Sequence, residues 1–196
     1  LHLEPNTPDF NDSSYFCGTD GEDTAIATRL AFRTGKTDEA WLEIRHPGIP
    51  NLALDLDDGR RGDAGKLQIG PLRYRCLEIG KRWRITYEGP LSIAGSDDGS
   101  TAHVELSMTF EGLTPIIDFA RHADPANVAR AMAKRTWDKA FFKKLEEIRK
   151  THYEQGGRLH GTLVVDGQRL VFDLPAVRDH SFGRRVWGDW DRHLWF

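Results

Sequence analysis

Residues 159–174 decide the fold, and they read LHGTLVVDGQRLVFDL. Apolar and polar side chains alternate on both sides of Asp166-Gly167, as they do in two half-buried strands. Asp-Gly is a preferred pair for a two-residue type I′ turn, so the segment predicts a tight antiparallel hairpin. The turn also sets the register and places Leu163 opposite Leu170.

Six further strands are predicted upstream of this hairpin by the same period of two. They cover residues 24–32, 40–46, 52–56, 66–78, 82–93 and 102–110. Short turns between them favour an antiparallel meander. The predicted fold class is therefore mainly β, an antiparallel barrel or sandwich, with residues 24–196 as a single domain. Residues 1–23 mix Pro, Asn, Asp and Gly with a few aromatics and predict an irregular N-terminal arm.

Between the last two β segments the hydrophobic period changes to about 3.6, which predicts a helical insertion at about residues 124–154. Asp124 is a candidate N-cap with Pro125 at the first helical position. A second helix is predicted from Trp137 to about Tyr153. Its apolar stripe is expected to pack on the sheet of the same chain.

Composition excludes several classes of protein. The net charge is −3, with 39% hydrophobic and 29% charged residues, so no strongly basic nucleic-acid surface is present. No apolar run approaches the roughly 18 residues of a membrane-spanning helix, and no secretory signal is recognisable at the start. Cys17 and Cys76 are too few for a disulfide framework or a zinc site. Two cysteines allow one disulfide, but reduced thiols in a cytoplasmic protein are the prediction. A start without Met and an aromatic end at residues 194–196 predict a segment of a longer protein.

Most of the chain's chemistry lies in residues 176–187, which read AVRDHSFGRRVW. In an extended chain, successive side chains point to opposite faces. Arg178 and His180 are therefore predicted on one face, and Asp179 and Ser181 on the other. An acid–base site and a strand end with structural charge pairs both fit this pattern.

For acid–base catalysis, the candidate residues are His180 with Asp179 or with Asp189 from the following turn. Because neighbours on a strand point apart, Asp179 is not expected to orient His180. A pairing of Asp179 with Arg178, or with Arg184 from a neighbouring strand, fits strand geometry better.

Aromatic and arginine side chains near the C-terminal end favour a ligand pocket, although they also suit cation–π packing within the fold. The candidate ligand-binding residues are Arg178, Trp83, Trp187, Arg185 and Ser181. No phosphate-binding glycine loop, zinc helix motif or nucleophile elbow is present. No histidine spacing demands a metal, so neither a metal nor a cofactor is predicted.

The hexapeptide Arg178–Gly183, RDHSFG, resembles the Arg-Asp-His-Ser-Trp/Phe-Gly signature of the lipocalin-like superfamily, which includes the carotenoid hydratases. Residues 151–155 (THYEQ), 76–78 (CLE) and 82–85 (RWRI) are similar to the N-terminal region of animal putative phosphoenolpyruvate synthases, which resemble rifampicin phosphotransferases. The resemblance runs from about Asn11 to the end of the chain.

This resemblance implies a lipocalin-like β-barrel and an accessory role beside separate phosphotransfer domains, which nothing in this chain matches. The family pattern usually continues Gly-x-Arg-Asp-Trp, whereas Val186 stands here at the usual acidic position. That difference weakens the case for a catalytic carboxylate at this point.

Besides a role purely as an interaction domain of a larger phosphotransferase, two functions are expected. The first is a non-catalytic barrel that binds an apolar or amphipathic small molecule and docks to further domains of the same protein. The alternative is a hydratase or cyclase in which His180 donates a proton to an alkene and Asp179 or Asp189 stabilises the cation.

Overall fold

The structure, a computed structural model, describes residues 7–56, 62–147 and 150–184. The strands are β1 (Phe10–Thr19), β2 (Ala25–Arg33), β3 (Glu39–Arg45), β4 (Leu52–Leu56), β5 (Gln68–Ile69), β6 (Leu72–Glu78), β7 (Arg82–Ile93), β8 (Thr101–Gly112), β9 (Ile117–Asp118), β10 (Lys150–Val165) and β11 (Gln168–Arg184). The helices are α1 (Phe119–His122), α2 (Pro125–Met132) and α3 (Lys139–Glu147), with a 3-10 turn at Ala64–Lys66.

Eight strands form a closed antiparallel barrel in the order β4-β3-β2-β1-β11-β10-β8-β7. The ring closes where Leu52 of β4 lies opposite Ile93 of β7. β6 pairs with residues 82–86 of β7, on the same edge of β7 that β4 pairs with at its end. β5 in turn pairs with β6. The prediction of a mainly β antiparallel fold is confirmed, and the barrel is consistent with a lipocalin-like one.

The hairpin at residues 159–174 forms as predicted. Leu163 lies opposite Leu170 and His160 opposite Asp173. Asp166 and Gly167 both have positive φ, 47° and 87°, as a type I′ turn requires. The hairpin is part of a longer pair, since β10 and β11 stay in register as far as Lys150 and Gly183.

Alternate residues of each strand point into the barrel and form its core. The core residues are mostly aliphatic and aromatic: among the largest fully buried are Tyr74, Phe16, Phe110, Ile26, Leu30, Leu42 and Ile85. The Phe16 ring lies among three other aromatic rings. Its centroid is 5.2 Å from that of Tyr74, 5.4 Å from that of Phe110 and 6.0 Å from that of Trp83. These contacts place an aromatic layer where β1, β6, β7 and β8 face one another.

The prediction of an irregular arm over residues 1–23 is wrong for residues 10–19, which form β1 between β2 and β11. The segment is rich in Asn, Asp and Ser, residues that favour turns when considered locally. Here the two neighbouring strands satisfy its backbone on both sides, and its polar side chains Asp12, Ser13 and Ser14 are buried against the polar end of β11. Tertiary pairing therefore overrides the local preference.

The helical insertion is present, but the predicted second helix is too long. α3 ends at Glu147, and residues 150–153 already belong to β10. The apolar stripe expected to pack on the sheet does not form as predicted among the described side chains: Trp137 is exposed, Phe141 is half-buried, and His152 belongs to β10. The first helix, α2, has no buried residue. Within the described ranges, no helix combines the length and apolar character required to cross a membrane.

Candidate functional site

The sequence motif at Arg178–Gly183 lies on β11, between β1 and β10. The inner face of the sheet is marked by the buried Phe16 and Leu174, and the outer face by Val177, which is 42% exposed. Arg178 and His180 point inward, and Asp179 points outward, as strand alternation predicts. The motif therefore contributes to two different clusters on opposite faces of the same three strands.

The inner-wall cluster consists of Asp12, Trp83, Tyr153, Arg178 and His180. His180 lies opposite Tyr153 of β10, and its ring stands edge-on to the tyrosine at 5.0 Å. Nε2 of His180 donates to Oδ1 of Asp12 at 2.7 Å. With that tautomer, Nδ1 accepts from the Tyr153 hydroxyl, with which it is in close contact. The Tyr153 oxygen in turn accepts from Arg178 at 3.5 Å.

These contacts form one chain of hydrogen bonds from Arg178 through Tyr153 and His180 to Asp12. Each group donates to the next, so the neutral imidazole is compatible with the whole chain. Asp12 and His180 are buried. The carboxylate that orients His180 is therefore Asp12, and Asp179 does not do so.

Arg178 is the buried positively charged residue of the inner-wall cluster. It is only 4% exposed, and its guanidinium carbon lies 4.6 Å from the centroid of Trp83 and 5.4 Å from that of Tyr153. Its Nε has no hydrogen-bond partner, and among the described residues no carboxylate forms an ion pair with it. Nε1 of Trp83 is also buried without a partner. Arg178 and Trp83, which are in contact, therefore each carry an unsatisfied donor.

The outer-face cluster consists of His152, Glu154 and Asp179. Nε2 of His152 donates to Oδ2 of Asp179 at 2.5 Å and lies 3.4 Å from Oε1 of Glu154. Phe119 of α1 stacks on the His152 ring with a centroid distance of 4.6 Å. The predicted pairing of Asp179 with Arg178 or Arg184 is wrong, because the partner is a histidine that was assigned to a helix.

Tyr15 of β1 lies next to Asp179 on the outer face. Burial, with smaller contributions from the neighbouring Cys17 and from the charges of Glu43 and Asp179, raises the pKa of the Tyr15 hydroxyl far above its usual range. Tyr15 is therefore neutral at physiological pH and covers one side of the cluster without adding charge.

The structure separates the residues that the sequence grouped as one site. Arg178, His180 and Trp83 come together in the inner-wall cluster, whereas Ser181 lies on the outer face with its hydroxyl 3.2 Å from that of Ser13. Trp187, Arg185 and Asp189 lie outside the described residues.

Sequence reasoning missed Asp12, Tyr153 and His152. Asp12 was assigned to the arm, and the other two to a helix. Only the correct pairing of β1, β10 and β11 brings them to the motif, and Asp12 lies 168 positions before His180. The one local signal was the THYEQ segment at residues 151–155, whose alternate residues point to opposite faces once it is read as a strand.

A separate groove of about 390 Å³ lies elsewhere, on the outer surface of β7, β8 and β10. Thr86, Glu88, Ser107 and Thr162 are among the residues that line it, and no member of either cluster does. Its mixed polar lining carries no concentration of reactive groups.

Comparison with known protein families gives a match over the whole chain. The model described as "Domain of unknown function (DUF7064)" covers residues 1–196. No curated protein and no solved structure matches the chain significantly.

Proposed function

The chain belongs to the DUF7064 family, and we propose that it is a β-barrel module that binds an amphipathic small molecule carrying an acidic group. The observation that carries this proposal is the buried Arg178 guanidinium, which has no ion-pair partner among the described residues. Its acidic counterpart would come from the ligand.

The first argument is the free-energy cost of burying a charge. Burying a charge without a partner costs several kcal/mol, so buried charges are normally paired. Arg29 of β2 follows that rule, since its guanidinium contacts Glu39. Arg178 has no such partner in the part of the chain that the structure describes, and the two aromatic rings over which it lies supply only about 0.5–2 kcal/mol. A carboxylate, sulfonate or phosphate group bound at its Nε edge would restore the balance and gain charge-assisted hydrogen bonds.

The surroundings argue for an amphipathic molecule. Trp83 and Tyr153 are half-buried and present ring surface next to the guanidinium, and Phe16 continues the apolar layer behind Trp83. Nε1 of Trp83 offers a second donor for the same acidic group. A few polar groups at the edge of an apolar surface are the usual composition of a small-molecule site.

The test is a fluorescence titration with 1-anilinonaphthalene-8-sulfonate, an amphipathic anion, for the native chain and Arg178→Gln. We expect saturable binding that the substitution weakens by about 10–150-fold, the equivalent of the ~1.5–3 kcal/mol of a hydrogen bond to a charged group. Nile red, which is neutral, should bind the native chain and Arg178→Gln with the same Kd.

Arg158→Gln is the matched control, because Arg158 is exposed on β10 and pairs with Asp173 at 2.8 Å. It should leave the titration unchanged. Near-ultraviolet circular dichroism must show that Arg178→Gln keeps its tertiary structure. Absence of saturable binding, or equal Kd values for the native chain and Arg178→Gln, would contradict the proposal.

The second candidate function is the hydratase or cyclase chemistry expected from the resemblance, and the hydrogen-bonded chain favours it. Because both ring nitrogens of His180 are engaged, the group that would donate a proton to an alkene is the Tyr153 hydroxyl, and Arg178 would stabilise the phenolate that remains. The water that adds to the resulting cation would release a proton, which returns to the phenolate. Asp179 faces away and has no part in this scheme.

This alternative predicts that Tyr153→Phe abolishes the addition of water to an acyclic isoprenoid alkene, measured by mass spectrometry, while anilinonaphthalene sulfonate binding persists. Turnover that survives in Tyr153→Phe at the native rate would exclude the hydroxyl as the proton donor. His160→Gln, on the outer face and outside both clusters, is the control and should keep the native rate.

We also propose a wider role for the chain within a larger protein. Resemblance at the THYEQ and RWRI segments supports an accessory domain that docks to further domains of a larger phosphotransferase-like protein. Cys17 and Cys76 are unpaired thiols, which supports a cytoplasmic location.

A further inference from the structure

We propose that the outer-face cluster, His152, Glu154 and Asp179, is a binding site for a divalent transition-metal ion of the zinc type. One imidazole nitrogen and two carboxylate oxygens lie within 4.8 Å of one another. Imidazole and carboxylate are both ordinary zinc ligands, and three protein ligands with one open position is the arrangement of catalytic zinc sites.

Charge supplies the first argument for a cation. Glu154 and Asp179 are directly opposite each other on β10 and β11, so their carboxylates share the outer face. Like charges in opposite positions of adjacent strands repel each other. The Asp179 side chain is only 8% exposed, and Glu154 is 26% exposed, so solvent screens this repulsion incompletely. A divalent ion between the two groups would convert the repulsion into attraction.

Distances supply the second argument. Ligand atoms about 2.0–2.2 Å from a tetrahedral zinc ion are roughly 3.3–3.5 Å from one another. The separation of His152 Nε2 and Glu154 Oε1 is 3.4 Å and already fits. The separation of His152 Nε2 and Asp179 Oδ2 is 2.5 Å, as expected for a hydrogen bond. An ion would replace the shared proton, and a small rotation of the Asp179 carboxyl group would open this distance.

Rigidity supplies the third argument. All three ligands stand on two strands that remain in register for sixteen residue pairs, and Phe119 fixes the plane of the His152 ring by stacking on it. Ligands held in place before binding lose little conformational entropy when the ion arrives. The site lies on the opposite face of the sheet from Arg178, so metal binding is independent of the proposed function.

The test is isothermal titration of the chelator-treated chain with ZnCl₂, repeated for His152→Ala and Glu154→Gln. We expect one bound ion per chain, no measurable binding in His152→Ala, and a loss for Glu154→Gln that exceeds the roughly 10–100-fold typical of outer-shell partners. Co²⁺ should give the visible d–d absorption bands of a site with nitrogen and oxygen ligands, and the bands should disappear in His152→Ala.

His160→Ala is the matched control, because Nε2 of His160 lies 3.9 Å from Oε1 of Glu111 on the same outer surface, yet among the described residues His160 belongs to no group of three potential metal ligands. It should bind Zn²⁺ as the native chain does. Glu154→Gln keeps the side-chain shape at a partly exposed position, so it tests metal binding even if His152→Ala fails to fold. No saturable Zn²⁺ binding by the native chain, or binding by Glu154→Gln with the native Kd, would overturn the proposal.

Discussion

At the scale of single residues, the face of the strand decides what a side chain does. Alternation along the motif was enough to predict that Arg178 and His180 share one face and that Asp179 points the other way. It was not enough to find their partners. Asp12 and His152 reach the motif through strand pairing, which depends on the whole barrel and cannot be inferred from the spacing of residues within the motif.

Tyr74 gives a residue-scale prediction about pH. Its hydroxyl is hydrogen-bonded to Thr28 at 3.0 Å, and burial raises its pKa far above the ordinary value near 10. Above pH 10, the unfolded chain ionises this group and the folded chain does not, so stability should fall as pH rises. Tyr74→Phe should cost about 1 kcal/mol at pH 7 for the lost hydrogen bond, but its stability should decline less between pH 10 and 11.

Urea unfolding of both proteins across this pH range is the measurement. Some decline will persist in Tyr74→Phe, because burial also raises the pKa of Tyr15. Equal declines in the two proteins would show that Tyr74 does not contribute to the alkaline loss of stability.

At the scale of elements, the hairpin could be predicted to the residue, whereas the end of the helical insertion could not. A period of two on both sides of Asp166-Gly167 admits one register. Gly156 and Gly157 follow directly after the predicted helix, where a glycine pair is typical of a helix end, but both lie within β10. A Cβ on Gly157 would lie 2.1 Å from the Glu111 carbonyl oxygen, so the glycine is there because β8 approaches closely. Local sequence cannot distinguish these two uses of glycine.

The exposed helices give a prediction of their own. Val128 of α2 is 43% exposed and Leu163 of β10 is 1% exposed. Val128→Ser should therefore change the free energy of unfolding by no more than about 0.5 kcal/mol, whereas Leu163→Ala should lower it by about 2–5 kcal/mol. Chemical denaturation monitored by tryptophan fluorescence measures both. A loss above 1.5 kcal/mol in Val128→Ser would indicate that α2 packs against an apolar surface.

At the scale of the whole molecule, the sequence predicted an antiparallel barrel because its strands are short, alternating and joined by turns. A complete ring also needs β1 as a strand between β2 and β11, and this was not predicted because the sequence of β1 is polar. Closure gives the wall two faces with different chemistry on the same three strands. The inner-wall cluster presents a cation that has no carboxylate partner among the described residues and lies beside aromatic rings, and the outer-face cluster presents imidazole and carboxylates.

The central claim is that Arg178 receives the acidic group of a ligand, and the Nε–H resonance of this residue in ¹⁵N NMR spectra reports on it most directly. The signal is assigned by its absence from Arg178→Gln. Because Nε has no acceptor in the structure, titration with decanoate should move this resonance saturably, whereas decanol should leave it in place. A resonance that decanoate does not move, or that decanoate and decanol move equally, would contradict the claim.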